Sequence, residues 1–470
     1  MPVPVLSVAQ MREWEQATWA AGQTEAEVMR RVGQIVAHRA LQLTRSGDSI
    51  FILAGKGHNG EDARLAEPHL AGREVHVLDA TDPSACLTEL MSLVKRRPAL
   101  VIDGLFGIGL NRPLDGPWTW LIDFINATGV PILAVDVPSG LDADTGAVPG
   151  VAIQASLTLT LGAPKRGLLA ASAVAFVGRL EVAPEIGLVV CSHSSEMNWT
   201  LPDDFIGYPP PRPVASHKGT FGHLVIVAGS LGYHGAAVLA ARGAQRAQPG
   251  LITLLTSENV YQPVATQLQA VMVSTFQTEL KLLGTGSAIL FGPGLAALAL
   301  SDESKFTLRR LWKGSPLPLI VDASALDWLP LNDYTPPDAI RVVTPHPGEA
   351  ARLLQTSVQQ VQSNRPKALR ELSRRLGNCW VVLKGHQTLI GRSAGEVFVN
   401  SSGNPHLAQG GSGDVLAGYL GGLFAQPALQ TDPLKTIRYG VWQHGAAADR
   451  LNDERQGWTV EDLVEELGRR

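Results

Sequence analysis

The sequence predicts an α/β protein folded as two tandem domains. Three observations carry that expectation. The chain has 470 residues, more than one hydrophobic core usually serves. Short apolar runs alternate with helix-like stretches in both halves, the signature of a mainly parallel sheet with helical crossovers. Around residues 192–219 the alternation lapses into Ser, Asn, Asp and Pro, including Pro209-Pro210-Pro211, which reads as a linker. The expected division is 1–191, a linker at 192–217, and 218–470.

Residues 7–45 read as helical. Strands are then predicted at Ser49–Leu53, Val75–Leu78, Leu100–Ile102 and Pro131–Val135, with helices at Ala63–Leu70, Ala85–Val94 and Trp118–Asn126 between them. The second series has strands at Leu224–Ala228, Leu251–Leu255, Ser287–Leu290, Leu319–Val321, Ile340–Val343 and Trp380–Leu383. Composition agrees with an ordered fold: 45% hydrophobic, 17% charged and 48 Gly. A net charge of −4 leaves no basic footprint for nucleic acid. Cys86, Cys191 and Cys379 form no metal or redox pattern. The stretch Met1 to Glu15 lacks the pattern of a signal peptide. The longest apolar run, Ala288–Leu300, is broken by Gly292-Pro293-Gly294, too short to span a bilayer. A cytoplasmic protein with no membrane partner is expected. Oligomeric state is not fixed by composition, and a homo-oligomer stays open.

The most informative segment is Gly410-Gly411-Ser412-Gly413-Asp414, followed by an apolar run that looks like a helix start. Glycines let successive N–H groups point at one spot, and a helix dipole would add to an anion site there. A carboxylate at the lip of an anion hole repels the anion unless it does chemistry. Accepting a proton from a hydroxyl that attacks a phosphoryl group is such a role. The competing reading is a Gly-rich turn with Asp414 as an N-cap. Thr344-Pro345-His346-Pro347-Gly348-Glu349 and Lys384-Gly385-His386-Gln387-Thr388 each follow a strand's C-terminal end, where open α/β sheets bind ligands.

In the first half, Gly55-Lys56-Gly57-His58-Asn59-Gly60 is a G-x-G-x-x-G after a strand, and Asp79 ends the next strand about twenty residues on. A Rossmann dinucleotide fingerprint and a plain tight turn both fit. The strand ends also gather Asn59, Asp103, Asp136 and Ser139. These hard oxygen ligands suit a hard cation or recognition of a sugar.

Together these motifs resemble the bifunctional enzymes that repair hydrated NAD(P)H. The resemblance rests on Asp136-Val-Pro-Ser-Gly-Leu-Asp142, Ser216-His217-Lys218-Gly219, Gly292-Pro-Gly-Leu295, Thr344–Glu349 and Gly410–Asp414, and covers nearly the whole chain. It implies a Rossmann-like three-layer epimerase domain followed by a ribokinase-like three-layer dehydratase domain that uses ADP or ATP with magnesium. It implies that Asn59, Gly60, Glu61, Asp62 and Gly107, Ile108, Gly109, Leu110, Asn111, Arg112, Pro113 hold the NAD(P)H hydrate, with Asp136 catalytic. Asn59, Asp103 and Ser139 would ligate potassium. In the second half Gly294, His346 and the catalytic Asp414 would face the hydrate. Lys384, Gly385, His386, Gln387, Thr388 and Gly410, Gly411, Ser412, Gly413 would hold the adenine nucleotide. Two departures stand out. The family's Asn-Asn-Gly-Gly-Asp-Gly reads His58-Asn59-Gly60-Glu61-Asp62-Ala63, so Glu61 is expected to crowd and repel a phosphate and impair the epimerase. The usual Asp-Ala-Asp-Ala-Leu reads Asp322-Ala323-Ser324-Ala325-Leu326. Rival readings are a ribokinase-like small-molecule kinase with a degenerate, non-catalytic first domain, and an ordinary NAD dehydrogenase.

Overall fold

Ser7 and Thr24 open the first two helices, each through a reciprocal cap. In the computed structural model Ser7 Oγ accepts from Gln10 N at 3.2 Å, and Gln10 Oε1 accepts from Ser7 N at 3.0 Å. Thr24 and Glu27 repeat the arrangement. Such boxes satisfy amides that a helix leaves without partners. The stretch 7–45 is therefore two helices, Val8–Ala20 and Glu25–Leu43, broken at 21–24. The structure describes residues 2–110, 112–276, 280–295, 302–332 and 339–469. It divides into two compact units, Val3–Glu196 and Met197–Arg470.

The first unit is a sheet of β1 (Ser49–Ala54), β2 (Glu74–Asp79), β3 (Leu100–Gly104), β4 (Ile132–Val135), β5 (Leu157–Leu161) and β6 (Arg179–Ala183). Their spatial order is β2-β1-β3-β4-β5-β6, and every pairing is parallel. Helix Glu25–Leu43 covers one face through Val28, Val32, Val36, Ala37 and Ala40. Helices Pro83–Leu93 and Gly116–Ala127 cover the other through Cys86, Leu90, Leu121, Ile122 and Ile125. β1 and β3 lie side by side although β2 separates them in sequence. Their C-terminal ends form the switch point where doubly wound sheets bind ligands.

Two local expectations are corrected here. The helix placed at Ala63–Leu70 runs from His58 to Arg64 and is followed by a short 3-10 turn at Glu67–His69. It starts early because Gly57 can sit at its N-terminus and Asn59–Gly60 pack under the sheet, where a Cβ on Gly60 would lie 2.0 Å from Gly55 O. Asp79, the acid expected to hold a ribose, caps the next turn through Thr81 N (2.9 Å) and is solvent-exposed. Asp79 is not among the residues that line the cavity of this unit.

The second unit begins inside the segment read as a linker. β7 (Met197–Trp199) pairs in parallel with β16 (Val397–Val399), and Trp199 is buried. A three-residue strand surrounded by Ser, Glu, Asp and Pro carries too weak a pattern to read locally. The other strands are β8 (His223–Val227), β9 (Leu251–Thr256), β10 (Met272–Thr275), β11 (Ala288–Phe291), β12 (Leu319–Val321), β13 (Arg341–Val343), β14 (Trp380–Leu383) and β15 (Leu389–Gly391). From β16 the sheet runs β15-β14-β13-β12-β11-β8-β9-β10. It is parallel from β10 to β14, and β15 pairs antiparallel with both neighbours. The order reverses between β8 and β11, again a switch point.

Helix Ser412–Phe424 is buried almost throughout and crosses helix His234–Arg246 at close range. Small residues make the approach possible. A Cβ on Gly418 would lie 1.9 Å from Ala240 O, and one on Gly243 would lie 2.4 Å from Val415 O. The crossing fixes the helix whose first turn holds Asp414. Among the described residues no helix is long and apolar enough to cross a membrane.

Candidate functional site

The switch point of the first unit opens into a cavity of about 580 Å³. Asn59 and Asp62 reach it from helix His58–Arg64, Gly107 to Leu110 and Arg112 from the loop after β3, and Asp136 from the end of β4. Asn111 lies outside the described residues. Gly60, Glu61 and Pro113 are not among the lining residues. Glu61 is half exposed and sits 3.5 Å from Arg64. The expectation that Glu61 crowds the site is therefore corrected: a helix that begins at His58 turns residue 61 outward and residue 62 inward.

Asp136 adopts a left-handed backbone, φ 64°, unusual for a residue with a Cβ. Its Oδ1 accepts from Leu161 N at 2.9 Å and Thr160 Oγ1 at 3.2 Å and forms an ion pair with Lys165. Lys165 is 1% exposed and also donates to Leu161 O at 2.9 Å. Asp62 is buried, and its Oδ1 has no hydrogen-bond partner among the described residues. Burial, then the nearby Asp136, Glu15 and Glu61 carboxylates, push Asp62 up to about 8. Glu15, from the first helix, is raised by burial against the pull of Lys165.

Behind the cavity Asp103 is fully buried. It accepts from Ser139 Oγ at 2.6 Å, Ser139 N at 2.9 Å and Leu105 N at 3.1 Å. Burial still lifts it to about 6, and no cation is among the groups that act on it. Asn59 joins the same group by donating to Phe106 O at 3.0 Å, which also accepts from Ser139 Oγ at 3.2 Å. The Asp103 carboxylate is thus held by one hydroxyl and two backbone N–H groups, all neutral donors.

In the second unit Asp414 lies in the first turn of helix Ser412–Phe424. The N-cap is Gly411 at φ 98°, without a side-chain hydrogen bond, so Asp414 is not the cap. Burial and the Asp322 carboxylate raise Asp414 to about 7, against the lowering pull of Lys384. The Lys384 Nζ bonds Asp322 Oδ1 at 2.8 Å, and that oxygen also accepts from Thr344 Oγ1 at 2.6 Å. Burial opposes the Lys384 charge, but Asp322, Glu349 and Asp414 outweigh it and hold its pKa above the ordinary value. The ammonium lies 3.3 Å from where a Cβ on Gly413 would be, so that glycine leaves room for the cation.

The loop Lys384–Thr388 hangs on Arg365, whose guanidinium donates to Leu383 O at 3.0 Å, Gln387 O at 3.3 Å and Lys384 O at 3.4 Å. His346 caps helix Pro347–Leu354: its Nδ1 accepts from Gly348 N at 3.0 Å, and its N–H donates to Glu349 Oε2 at 2.8 Å. Gly294, at φ 64°, comes so close to Tyr233 that a Cβ would lie 2.5 Å from Tyr233 O. His444 is buried and 3.0 Å from Ser412 O, tying the Asp414 turn to helix Pro433–Glu454.

Sequence reasoning left Lys165, Glu15, Asp322, Arg365 and His444 off the candidate list. Lys165 and Asp322 each follow a strand's C-terminal end, a signal that could have found them. Arg365, Glu15 and His444 reach their sites through tertiary packing alone.

Comparison with known proteins adds to this geometry. The family model described as NAD(P)H-hydrate dehydratase matches residues 224–469, and that described as YjeF-related protein N-terminus matches 79–167. The bifunctional NAD(P)H-hydrate repair enzyme Nnr of Coxiella burnetii is 33% identical over 489 residues, covering 97% of each chain. That of Gloeobacter violaceus is 36% identical, covering 95% of this chain and 93% of its own. A solved ribokinase-like superfamily protein from Enterococcus faecalis is 27% identical with a TM-score of 0.51, covering 59% of this chain and 95% of its own.

Proposed function

The chain belongs to the bifunctional NAD(P)H-hydrate repair enzymes, and from that premise we propose how its two units divide the work. As a cytoplasmic enzyme, the first unit interconverts the (R) and (S) hydrates of NAD(P)H. The second dehydrates the (S) hydrate at the expense of ADP or ATP. The observation that carries the second assignment is Asp414, a carboxylate raised to about 7 in the first turn of a buried helix, beside Lys384.

The hydrate carries a hydroxyl on C6 of the reduced nicotinamide ring. Hydroxide leaves poorly, whereas a phosphate ester leaves well. Asp414 accepts the hydroxyl proton as its oxygen attacks the terminal phosphoryl group. Lys384, oriented by Asp322, and the amides of the Gly410–Gly413 turn stabilise the charge that develops. The ring-nitrogen lone pair then expels phosphate as the N1–C6 double bond forms, and loss of a proton from C5 restores NAD(P)H. Loop Lys384–Thr388, held by Arg365, takes the adenine nucleotide, and Gly294 and His346 flank the hydrate. A magnesium ion bound with the nucleotide would offset the charge of its phosphates.

In the first unit the hydrate occupies the cavity with Asp136 at its reacting end. Asn59, Asp103 and Ser139 would hold a potassium ion, which would supply the positive charge that the Asp103 surround lacks.

The test is incubation of the purified protein with hydrated NADH and ADP or ATP, following NADH absorbance, free phosphate and both epimers. Equal release of NADH and phosphate is expected. A product that keeps its phosphate would replace this reading with a small-molecule kinase.

A further inference from the structure

Four carboxyl groups line the cavity of the first unit, Glu15, Glu25, Asp62 and Asp136, and the fold treats the two aspartates differently. Asp136 has a cation: the Lys165 ammonium, itself buried and committed to Asp136, Thr160 Oγ1 and Leu161 O. Asp62 has none. It is 8% exposed, lines the cavity, and keeps an oxygen with no donor among the described residues. The charged groups that act on it most strongly are Asp136, Glu15, Glu61 and Glu25, all acidic. Arg64 lies 3.5 Å from Glu61 and the His58 ring 3.3 Å from Glu25, and Lys56 and Arg112 also line the cavity. Arg12 lines the cavity beside Glu15 and acts on that residue. An unsolvated carboxylate oxygen with acidic neighbours is costly as an anion and far less so as a carboxylic acid. Neighbouring carboxyl groups pushed apart in this way are how one site holds both an acid and a negative charge at the same pH.

Resting on the epimerase reading above, we propose that Asp62 is the general acid of the first unit. The Asp62 carboxyl donates its proton to the C6 hydroxyl oxygen. The C6–O bond breaks and water departs, while the ring-nitrogen lone pair forms the N1–C6 double bond, leaving a planar cation. Asp136, held by Lys165, faces that cation with negative charge. Water then adds to C6 and returns a proton to the Asp62 carboxylate. Addition to the face the hydroxyl left is silent; addition to the other face inverts C6. No oxidant, reductant or nucleotide is consumed, and Asp62 ends as it began.

The test uses the full chain with potassium present. The rate of (R)-to-(S) interconversion is measured from pH 5 to 9, with the spontaneous rate subtracted, for wild type, Asp62→Asn and Asp62→Glu. Wild type is expected to be fastest below about pH 7 and to fall above 8, as the acid is lost. Asp62→Asn keeps the shape and breaks no hydrogen bond to Oδ1, so its melting temperature should hold; its rate should drop by roughly 10²–10⁴-fold and lose the alkaline fall. Asp62→Glu should restore part of the rate and the alkaline fall. An Asp62→Asn enzyme with wild-type rate and wild-type alkaline limb overturns the assignment. A wild type no faster than the spontaneous reaction overturns the epimerase reading itself, and this inference with it.

Discussion

Replacing Asp414 with Asn keeps the side chain's shape and removes its basicity. In the second unit Asp414 is acted on by burial and by the Asp322 and Glu349 carboxylates, which raise it, and by Lys384, which lowers it, for a balance near 7. A general base works in its ionised form. Dehydration should therefore rise with pH through about 6 to 8 and level off above; one unit below 7 only about a tenth of the groups are ionised. Asp414→Asn should cut turnover by roughly 10²–10⁴-fold, equivalent to about 3–5 kcal/mol of barrier, and the remaining rate should lose that pH dependence. Lys384→Met removes the lowering charge while Asp322 and Glu349 remain, so its pH midpoint should move upward even as turnover falls. The assay is steady-state NADH formation with saturating nucleotide across pH 5–9, with nucleotide affinity measured separately by calorimetry. Near-normal turnover in Asp414→Asn, or a Lys384→Met midpoint unmoved or lower, would refute the reasoning.

Other outcomes follow from the same contacts. Glu61→Gly should not accelerate epimerisation, because Glu61 points out of the cavity toward Arg64; a several-fold faster revertant in the epimerisation assay would show that the outward orientation does not hold. His444 is pushed by burial from 6.5 to about 4, so between those values the unfolded chain binds the extra proton. Its contribution is present above pH 6.5 and is lost as pH falls toward 4, by about 3 kcal/mol in full; urea unfolding at pH 5 and 7 should differ by about 2 kcal/mol of this, and His444→Gln should remove most of the difference. Residues 197–470 expressed alone should fold and dehydrate the (S) hydrate. Residues 218–470 should melt lower, since they lose β7 and the buried Trp199, a residue type whose removal costs about 3–5 kcal/mol; equal melting temperatures would show that β7 is dispensable.

The sequence by itself determined the fold class, the positions of most strands along the chain and the two glycine-rich turns. Those signals are local. Apolar runs such as Phe51–Leu53 and Val381–Leu383 advertise buried strands over a few residues, and glycines mark positions where backbones must approach, as Gly60 does against Gly55 O. Asp414 was legible for the same reason, because a carboxylate beside four small residues is unusual within a single turn. Only the tertiary structure decided what faces what. The helix phase starting at His58 sends Glu61 to solvent and Asp62 into the cavity, a difference of one residue and about 100° of rotation. Lys165 meets Asp136 across β5, Arg365 reaches the Lys384–Thr388 loop from a neighbouring helix, and His444 reaches Ser412 from 32 residues away. β7 becomes a strand because β16 offers it an edge to pair with. Those relations depend on sheet order and helix crossing, which bring together side chains that no short window of sequence contains. The same burial removes water from Asp62, Asp103 and Asp414, and so sets their proton affinities.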